Sequence, residues 1–285
     1  MGRHPAGLAN MRPALIAILG LLMVLTGATA QAGPRAELWE RWLAHDPGSV
    51  LQIDHDDWDA FLVRYLRIGA DGIHRVAYGE VEPADRALLE NYVARLAALP
   101  ISVYSRAEQM AYWINLYNAL VVRLVVDHYP IASIRDVGKG PDESGVGPWK
   151  KELVEVEGTP LSLHDIAHRI LRPIWRDPRV HYALACGAVS CPNLQPEPFY
   201  ADQLDRQLSE AAMAYVNDRR CIRIEGDQLN LSSLYRWYRD DFGPTDQDVI
   251  NHLMAYAAPN LAMKLQGFDQ ISDDGFDWRL NDATS

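Results

Sequence analysis

The sequence predicts a single α+β domain in which a helix-rich N-terminal part packs on a small, mainly antiparallel sheet. Apolar residues recur at helical spacing through much of the first half, and short apolar runs bounded by Gly, Pro or Asp follow in the second half. Of the 285 residues, 48% are hydrophobic and 23% are charged, which is ordinary for a globular chain that buries a sizeable core. No internal repeat or low-complexity linker indicates a second domain.

The first thirty residues have the pattern of an export signal. A positively charged start is followed by an uncharged apolar run over residues 14–25 and by a small-residue cleavage pattern that ends at Ala30. The apolar run is short for a membrane span, although an uncleaved anchor is the alternative. We therefore expect a periplasmic or extracellular protein that is not integral to the membrane after cleavage. The predicted boundaries are 1–30 for the signal peptide, 31–104 for an N-terminal helical extension and 105–285 for the core domain.

The charge balance argues against one class of partner. The chain has 27 basic and 38 acidic residues, a formal net charge of −11, whereas nucleic-acid-binding proteins usually present a basic face. The polar segment 133–147 has four glycines, but their spacing is too irregular for a phosphate-binding fingerprint. We therefore predict a peptide or small-molecule ligand, no nucleic acid and no cofactor.

The longest predicted element is a helix over residues 105–128. Ser105 and Glu108 have the spacing of a capping box, and the nearly continuous apolar run behind them is typical of a helix buried on most sides. Its polar side chains fall toward one face: Glu108, Tyr112, Asn115 and Asn118. A buried polar group without a hydrogen bond costs about 1–3 kcal/mol. These side chains therefore either tie the helix to neighbouring backbone or line a pocket.

Shorter elements are predicted on the same grounds of period and turn residues. The further predicted helices are 36–43, 56–66, 83–99, 162–175, 202–217, 232–241 and 246–257. The predicted strands are 74–78, 149–156, 180–186, 221–224, 229–231 and 276–280, with a hairpin turn at residues 225–227.

Reactive side chains are concentrated between residues 177 and 194. If residues 180–186 form a regular strand, His181 and Cys186 point to opposite faces about 16 Å apart, because successive strand residues alternate. The loop Gly187–Ser190 could instead bring Cys191 back toward His181. A cysteine hydrolase needs a thiolate beside an imidazole. This geometry favours His181 as the base and Cys191 as the nucleophile, with Cys186 as the second choice.

A disulfide between Cys186 and Cys191 is the competing interpretation. Nearby cysteines in an exported protein tend to become oxidised, and closing so short a loop contributes about 2 kcal/mol on the chain-entropy model. The disulfide and a free resting thiol exclude each other. The chain has three cysteines, so one is left over. We expect Cys221 to be buried and inert.

A metal site is the third alternative for this region. His164 and His168 are four residues apart on a predicted helix and therefore share a face. The pair lacks the general-base glutamate of a His-Glu-x-x-His pattern, so two surface histidines are the simpler interpretation. We predict no metal.

Six segments together resemble the domain-of-unknown-function family 547 (DUF547). They occur in order at residues 111–120, 129–136, 161–172, 177–192, 232–243 and 277–281. The resemblance implies that the following residues occupy family motif positions: Asn115, Asn118, Arg135, His168, His181, Cys186, Cys191 and Pro192. His164 stands where the family is expected to have an acidic residue, which weakens the metal interpretation. The family is similar to papain/transglutaminase-like thiol enzymes, and the resemblance implies that type of fold.

We expect an exported thiol-dependent hydrolase or acyl transferase acting on an amide or peptide in the cell envelope. His181 and Cys191 would perform the chemistry, and Asn115 or Asn118 would be an orienting or oxyanion-stabilising donor. The residues expected to shape the substrate pocket are Glu108, Tyr112, Arg135 and Ser190. The alternative is a non-catalytic peptide or small-molecule binding module in which Cys186 and Cys191 form a structural disulfide.

Overall fold

A computed structural model describes residues 1–2, 33–138 and 147–283 of the chain. The chain after Gln31 forms one compact unit. Helices and small sheets are mixed within it, which confirms the predicted single α+β domain. The predicted signal peptide and the middle of the predicted loop 133–147 lie outside the described residues.

The helices and strands alternate irregularly along the chain. The α-helices are α1 (Asp56–Tyr65), α2 (Pro83–Ala97), α3 (Arg106–His128), α4 (Arg172–Trp175), α5 (Val180–Ala183), α6 (Leu204–Val216), α7 (Leu234–Trp237), α8 (Arg239–Phe242), α9 (Asp246–Tyr256) and α10 (Pro259–Leu265). The strands are β1 (Leu66–Ile68), β2 (His74–Val76), β3 (Glu152–Val156), β4 (Thr159–Ser162), β5 (Ile222–Glu225), β6 (Gln228–Ser232) and β7 (Asp273–Gly275).

Helix α3 runs through the main hydrophobic core, as its apolar sequence predicts. Most of its residues are buried, and α1 and α2 contribute aromatic and aliphatic side chains to the same core. The Ser105 hydroxyl accepts a hydrogen bond from the Glu108 backbone N–H at 3.3 Å, so the predicted cap is present. The Glu108 carboxylate does not complete a capping box; it accepts from the backbone N–H of Ile53 at 2.7 Å. Helix α3 is thereby tied to the segment that precedes α1.

The sheets are small, and most of their strand pairs are antiparallel. β1 pairs with β2, β3 with β4, and β5 with β6, while β7 adds to β6 in parallel. The predicted β5–β6 hairpin is confirmed. The predicted last strand, 276–280, is wrong: β7 ends at Gly275, and the residues beyond it bond to the loop that follows Cys186. A short apolar run does not indicate whether its backbone will form hydrogen bonds with a strand or with a loop.

The predicted strand 180–186 is also wrong, because its first four residues form helix α5. The Asp177 carboxylate accepts from the Arg179 N–H at 2.9 Å, and the Asp177 carbonyl accepts from the Val180 N–H at 3.1 Å. This turn starts a helix, and periodicity alone cannot distinguish so short a buried helix from a buried strand. The strand-parity argument that separated His181 from Cys186 therefore no longer applies.

The helix predicted over residues 162–175 has two parts that meet after Leu171. A π-helical stretch, Asp165–Leu171, precedes α4, and Pro173 lies in the first turn of α4. The N–H groups of Glu37 and Trp39 donate to the carbonyls of His168 and Arg169 at 2.9 and 3.0 Å. These two hydrogen bonds hold the N-terminal segment against the π-helical stretch.

Within residues 33–138 and 147–283, no helix is both long enough and apolar enough to cross a membrane.

Candidate functional site

The reactive loop is closed by a disulfide between Cys186 and Cys191, whose Cα atoms are 5.7 Å apart. The Ala188 N–H donates to the Cys191 sulfur at 3.2 Å, and Cys191 is buried. Cys221 is a free thiol, but it is also buried, with its sulfur 3.0 Å from the Tyr235 hydroxyl. Burial raises the pKa of Cys221 far above its ordinary value. None of the three sulfurs is therefore an exposed thiolate in this state.

The disulfide loop holds the C-terminal segment in place. The Val189 N–H donates to the Arg279 carbonyl at 2.8 Å, and the Ser190 N–H donates to the Asp277 carbonyl at 3.1 Å. In return, the Asp277 N–H donates to the Ser190 hydroxyl at 2.8 Å. Tyr215 donates to the Ser190 carbonyl at 2.9 Å. Ser190, which was predicted to contact substrate, is thus held by hydrogen bonds to Asp277 and Tyr215.

His181 lies on α5 and pairs with a carboxylate that the sequence did not indicate. Its Nε2 atom is 2.6 Å from Oδ2 of Asp241, and Arg172 Nε donates to the same oxygen at 2.5 Å. The Tyr238 ring stacks on His181 at 4.3 Å between centroids, with the Arg172 guanidinium 4.8 Å from the same ring. We call His168, Arg172, His181, Tyr238 and Asp241 the His181–Asp241 cluster.

The electrostatics of the His181–Asp241 cluster keep its histidines neutral. Burial lowers the pKa of His181 below 6.5, and the Asp241 hydrogen bond only partly opposes this effect. Burial disfavours the Asp241 carboxylate, but hydrogen bonds from His181 and Arg172 outweigh that cost and lower its pKa to about 2. Burial, followed by the Arg172 charge, holds the pKa of His168 well below 6.5.

The His181–Asp241 cluster is closed to large ligands. Arg172 and His181 are only 5% and 6% exposed. Arg172 also donates to the Pro34 carbonyl at 2.7 Å and lies 3.0 Å from His168 Nδ1. A general base must come within hydrogen-bonding distance of its substrate, and in this arrangement the His181 ring is covered. The geometry is that of a neutral histidine beside a buried ion pair.

The asparagines of α3 bond to backbone groups. Asn115 accepts from the Phe199 N–H at 3.0 Å and donates to the Phe199 carbonyl at 2.8 Å. Asn118 donates to the Ala183 carbonyl and accepts from the Ala185 N–H, both at 2.9 Å. Each side-chain amide therefore binds a neighbouring segment as a peptide group would. In each amide the oxygen and one N–H are therefore engaged by backbone.

The other predicted pocket residues separate into two places. Tyr112 donates to the Leu96 carbonyl at 3.0 Å in the core. Glu108 is buried against Ile53, and burial raises the pKa of its carboxyl. The Arg135 guanidinium lies 5.3 Å from the Trp278 ring, away from Tyr112 and Glu108. The structure therefore does not bring Glu108, Tyr112, Arg135 and Ser190 together in one pocket.

An open cleft of about 310 Å³ lies beside the π-helical stretch. Its lining residues are Glu37, Lys150, Ser162, His164, Asp165 and Arg169. Asp165 is fixed by hydrogen bonds from Ser162 and by Arg169 at 2.9 Å. The His164 N–H donates to the Trp149 carbonyl at 2.8 Å, and burial lowers the pKa of the His164 ring. We call this concavity the His164 cleft.

The His164 cleft does not form a metal site with its neighbouring histidine. The rings of His164 and His168 are 4.9 Å apart, but His168 Nδ1 is occupied by Arg172. In the described part of the chain, no three His, Cys, Asp or Glu side chains are grouped so that they could hold a metal ion.

Four half-buried aromatic rings lie against one another near this cleft. Trp278 is central, with its ring centroid 4.6 Å from Phe276, 5.6 Å from Trp237 and 6.3 Å from Trp149. These rings come from three separate segments, so no local sequence pattern indicated them. We call the four rings the Trp278 cluster.

Comparison with known families gives one match. A family model described as "Protein of unknown function, DUF547" matches residues 101–216. No curated protein and no solved structure matches the chain. The family match confirms the resemblance predicted from the motifs within that range.

Proposed function

We propose that this chain, whose residues 101–216 match the DUF547 family model, is an exported binding module that takes a peptide or small molecule in the His164 cleft. In this proposal the Cys186–Cys191 disulfide is structural, and the protein performs no chemistry on its ligand. The observation that carries the proposal is the disulfide: it joins the two cysteines that a thiol enzyme at this site would use.

The His164 cleft supports the proposal because some of its polar groups are uncommitted. Among the described residues, the side chains of Glu37 and Lys150 make neither a hydrogen bond nor an ion pair. The His164 ring lies 4.9 Å from the His168 ring and, in the described part of the chain, makes no side-chain hydrogen bond. Polar groups that converge on a concavity without mutual partners are the usual means by which a binding site orients its ligand. The His181–Asp241 cluster has no such free groups on an open surface.

The test is a binding screen of the purified protein against short peptides and small acids, with substitutions in the cleft. Lys150→Ala should weaken a cleft ligand about tenfold, which corresponds to about 1.4 kcal/mol. Lys151→Ala is the matched control, because Lys151 is the adjacent exposed lysine and does not line the cleft. Equal weakening by both variants, or by neither, would contradict binding at this site.

Export is the second part of the proposal. A disulfide is stable in an oxidising compartment and rare in the cytosol, so the Cys186–Cys191 bond supports a periplasmic or extracellular location. Mass spectrometry of the protein from the producing cell should find a new N-terminus at Gln31. An intact N-terminus beginning at Met1 on a protein kept in the cytosol would contradict the export proposal.

Thiol-dependent acyl transfer or hydrolysis of an envelope amide is the second candidate function. One contact favours it: the Ala188 N–H donates to Cys191 Sγ at 3.2 Å and would stabilise a thiolate at that atom. A dithiol would first have to reduce the disulfide, becoming oxidised itself. The Cys191 thiol would then give its proton to His181 and attack the amide carbonyl, and His181 would pass that proton to the departing amine as the C–N bond breaks. Water, for hydrolysis, or an acceptor amine, for transfer, would then displace the Cys191 thiolate from the thioester.

Alkylation mapped by mass spectrometry separates the two functions. For a binding module, Cys186 and Cys191 stay unlabelled until a reductant is added, and reduction produces no amidase activity. For a thiol enzyme, reduced Cys191 labels rapidly near neutral pH and Cys191→Ala abolishes the activity that appears. Activity that persists in Cys191→Ala would exclude Cys191 as the nucleophile.

A further inference from the structure

The Trp278 cluster is an aromatic surface that is not fully covered. Each of its four rings is half-buried, so the rings contact one another and still reach solvent. The Trp237 and Trp278 rings stack with their planes 30° apart. Large contiguous aromatic surfaces on a protein usually mark a binding site, because tryptophan presents a wide apolar face at little entropic cost.

Two cations beside this surface lack an acidic partner among the described residues. Arg135 lies over Trp278 at 5.3 Å and makes no ion pair, and Lys150 follows Trp149 directly and makes none. Of the carboxylates near this surface, Asp274 is paired with Arg236 at 3.1 Å and Asp277 with Arg279 at 2.5 Å, whereas Glu37, which lines the cleft with Lys150, makes no ion pair among the described residues. A chain with a net charge of −11 thus presents, at one aromatic surface, two positive groups that form no ion pair with any described residue. Their charge is complementary to an anion.

The aromatic surface and the His164 cleft adjoin at residues 149 and 150. Trp149 belongs to the Trp278 cluster, and Lys150, the next residue, lines the cleft. The backbone bond from His164 to Trp149 holds the two together at 2.8 Å. A ligand in the cleft can therefore extend across the aromatic rings.

We infer that the His164 cleft and the Trp278 cluster form one binding surface for an acidic saccharide. This inference rests on the proposed function, since it names the ligand class of the same cleft. One face of a pyranose ring carries C–H groups that pack on a tryptophan ring, while its hydroxyls and carboxylate need polar partners at the edges. Trp278 and Trp149 supply the faces, and Arg135 and Lys150 supply donors for the carboxylates.

The alternatives fit these groups less well. A proline-rich peptide would use the aromatic rings but has no need of the two unpaired cations. An acidic peptide would use the cations and leave the stacked rings without a partner. The acidic saccharide uses both. The disulfide loop contributes by holding the backbone on both sides of Trp278, through the bonds from Val189 to Arg279 and from Ser190 to Asp277.

The test titrates the purified protein with a hexamer of galacturonic acid, followed by tryptophan fluorescence and calorimetry. The matched probes are a neutral glucose hexamer and hexaglutamate. We expect the acidic hexamer to bind at least about tenfold more tightly than either matched probe. Its affinity should fall as salt is raised, because the ion pairs are near the surface.

Substitutions locate the binding. Trp278→Ala and Arg135→Gln should each raise the Kd for the acidic hexamer about tenfold. The control is Trp175→Ala, which removes another half-buried tryptophan with an arginine, Arg106, 5.6 Å from its ring. That variant should keep the wild-type Kd. Trp149→Ala provides a second test if Trp278→Ala does not fold.

Failure of the inference can be distinguished from failure of the proposed function. Absence of binding by the galacturonate hexamer, or a Kd that neither Trp278→Ala nor Trp149→Ala changes, would overturn the acidic saccharide. If hexaglutamate then binds and Lys150→Ala weakens it, the cleft still functions as a binding site and the proposed function survives. Binding of either ligand that Lys150→Ala leaves unchanged would place it outside the cleft and count against both.

Discussion

His168 and His164 are one helical turn apart, yet they belong to two regions of opposite character. His168 lies inside the His181–Asp241 cluster, where its Nδ1 atom contacts Arg172 and burial keeps the ring neutral. His164 faces an open cleft in which Lys150 and Glu37 have no described partner. The difference is made by what packs over each ring. The residues that look most reactive in the sequence are thus engaged with one another, while less conspicuous polar groups at the cleft have no partner among the described residues.

The largest effect on stability should come from removing the ion pair of the His181–Asp241 cluster. Asp241→Asn leaves the Arg172 guanidinium buried without its counter-ion, and we expect a loss of about 3 kcal/mol in the free energy of unfolding. Urea denaturation followed by circular dichroism measures it. The matched control is Glu80→Gln, which breaks the exposed Arg67–Glu80 pair and should cost less than about 1 kcal/mol. Equal costs for the two variants would show that the cluster is not a buried ion pair.

The next effect concerns the disulfide that holds the segment carrying Trp278. The double variant Cys186→Ser/Cys191→Ser should lose about 2 kcal/mol, because the unfolded chain is no longer constrained by a short loop. Adding dithiothreitol should destabilise the wild type by a similar amount and leave the double variant unchanged. A wild type that is insensitive to the reductant would contradict a stabilising disulfide.

A smaller loss of stability is expected when the pH is lowered, because the His181–Asp241 cluster contains buried histidines. Burial lowers the pKa values of His168 and His181 in the folded state, so on acidification below about pH 6.5 the unfolded state binds protons first. The free energy of unfolding should therefore fall as the pH is lowered from 7.5 to 5.5. His181→Gln should reduce this slope, because one of the buried histidines that contribute to it, together with His55 and His168, is then missing.

The exposed His128 provides the control for this titration. His128→Gln should keep the wild-type dependence on pH. A slope that His181→Gln leaves unchanged would place the responsible groups elsewhere in the molecule.

The smallest effect on stability should follow substitutions in the His164 cleft. His164→Ala and Lys150→Ala are each expected to change the free energy of unfolding by no more than about 0.5 kcal/mol, because neither side chain has a strong partner to lose. Urea denaturation beside the binding titrations provides both measurements. If either variant destabilises the fold as much as Asp241→Asn does, the cleft is a structural feature rather than a ligand site.

Local sequence patterns predicted much of the fold. Helices α1, α2, α3, α6 and α9 follow from apolar period and capping residues, and the β5–β6 hairpin follows from its turn. The pattern at residues 180–186 failed because four buried residues satisfy a helix and a strand equally. The candidate site was predicted less well. Its cysteines were singled out, but Asp241, sixty residues from His181 in sequence, was not, since nothing local relates the two.

The sequence by itself determined the α+β class, the long buried helix and the family motifs, because these depend on neighbouring residues and on composition. It left open whether Cys186 and Cys191 would pair. The tertiary structure decided that they do, and that Asn115 and Asn118 bond to backbone. It also decided that Trp278 meets Trp149 and Trp237, two rings from distant segments, beside a cleft. Burial and contact between residues far apart in the chain depend on the whole packed molecule, so no single stretch of sequence specifies them.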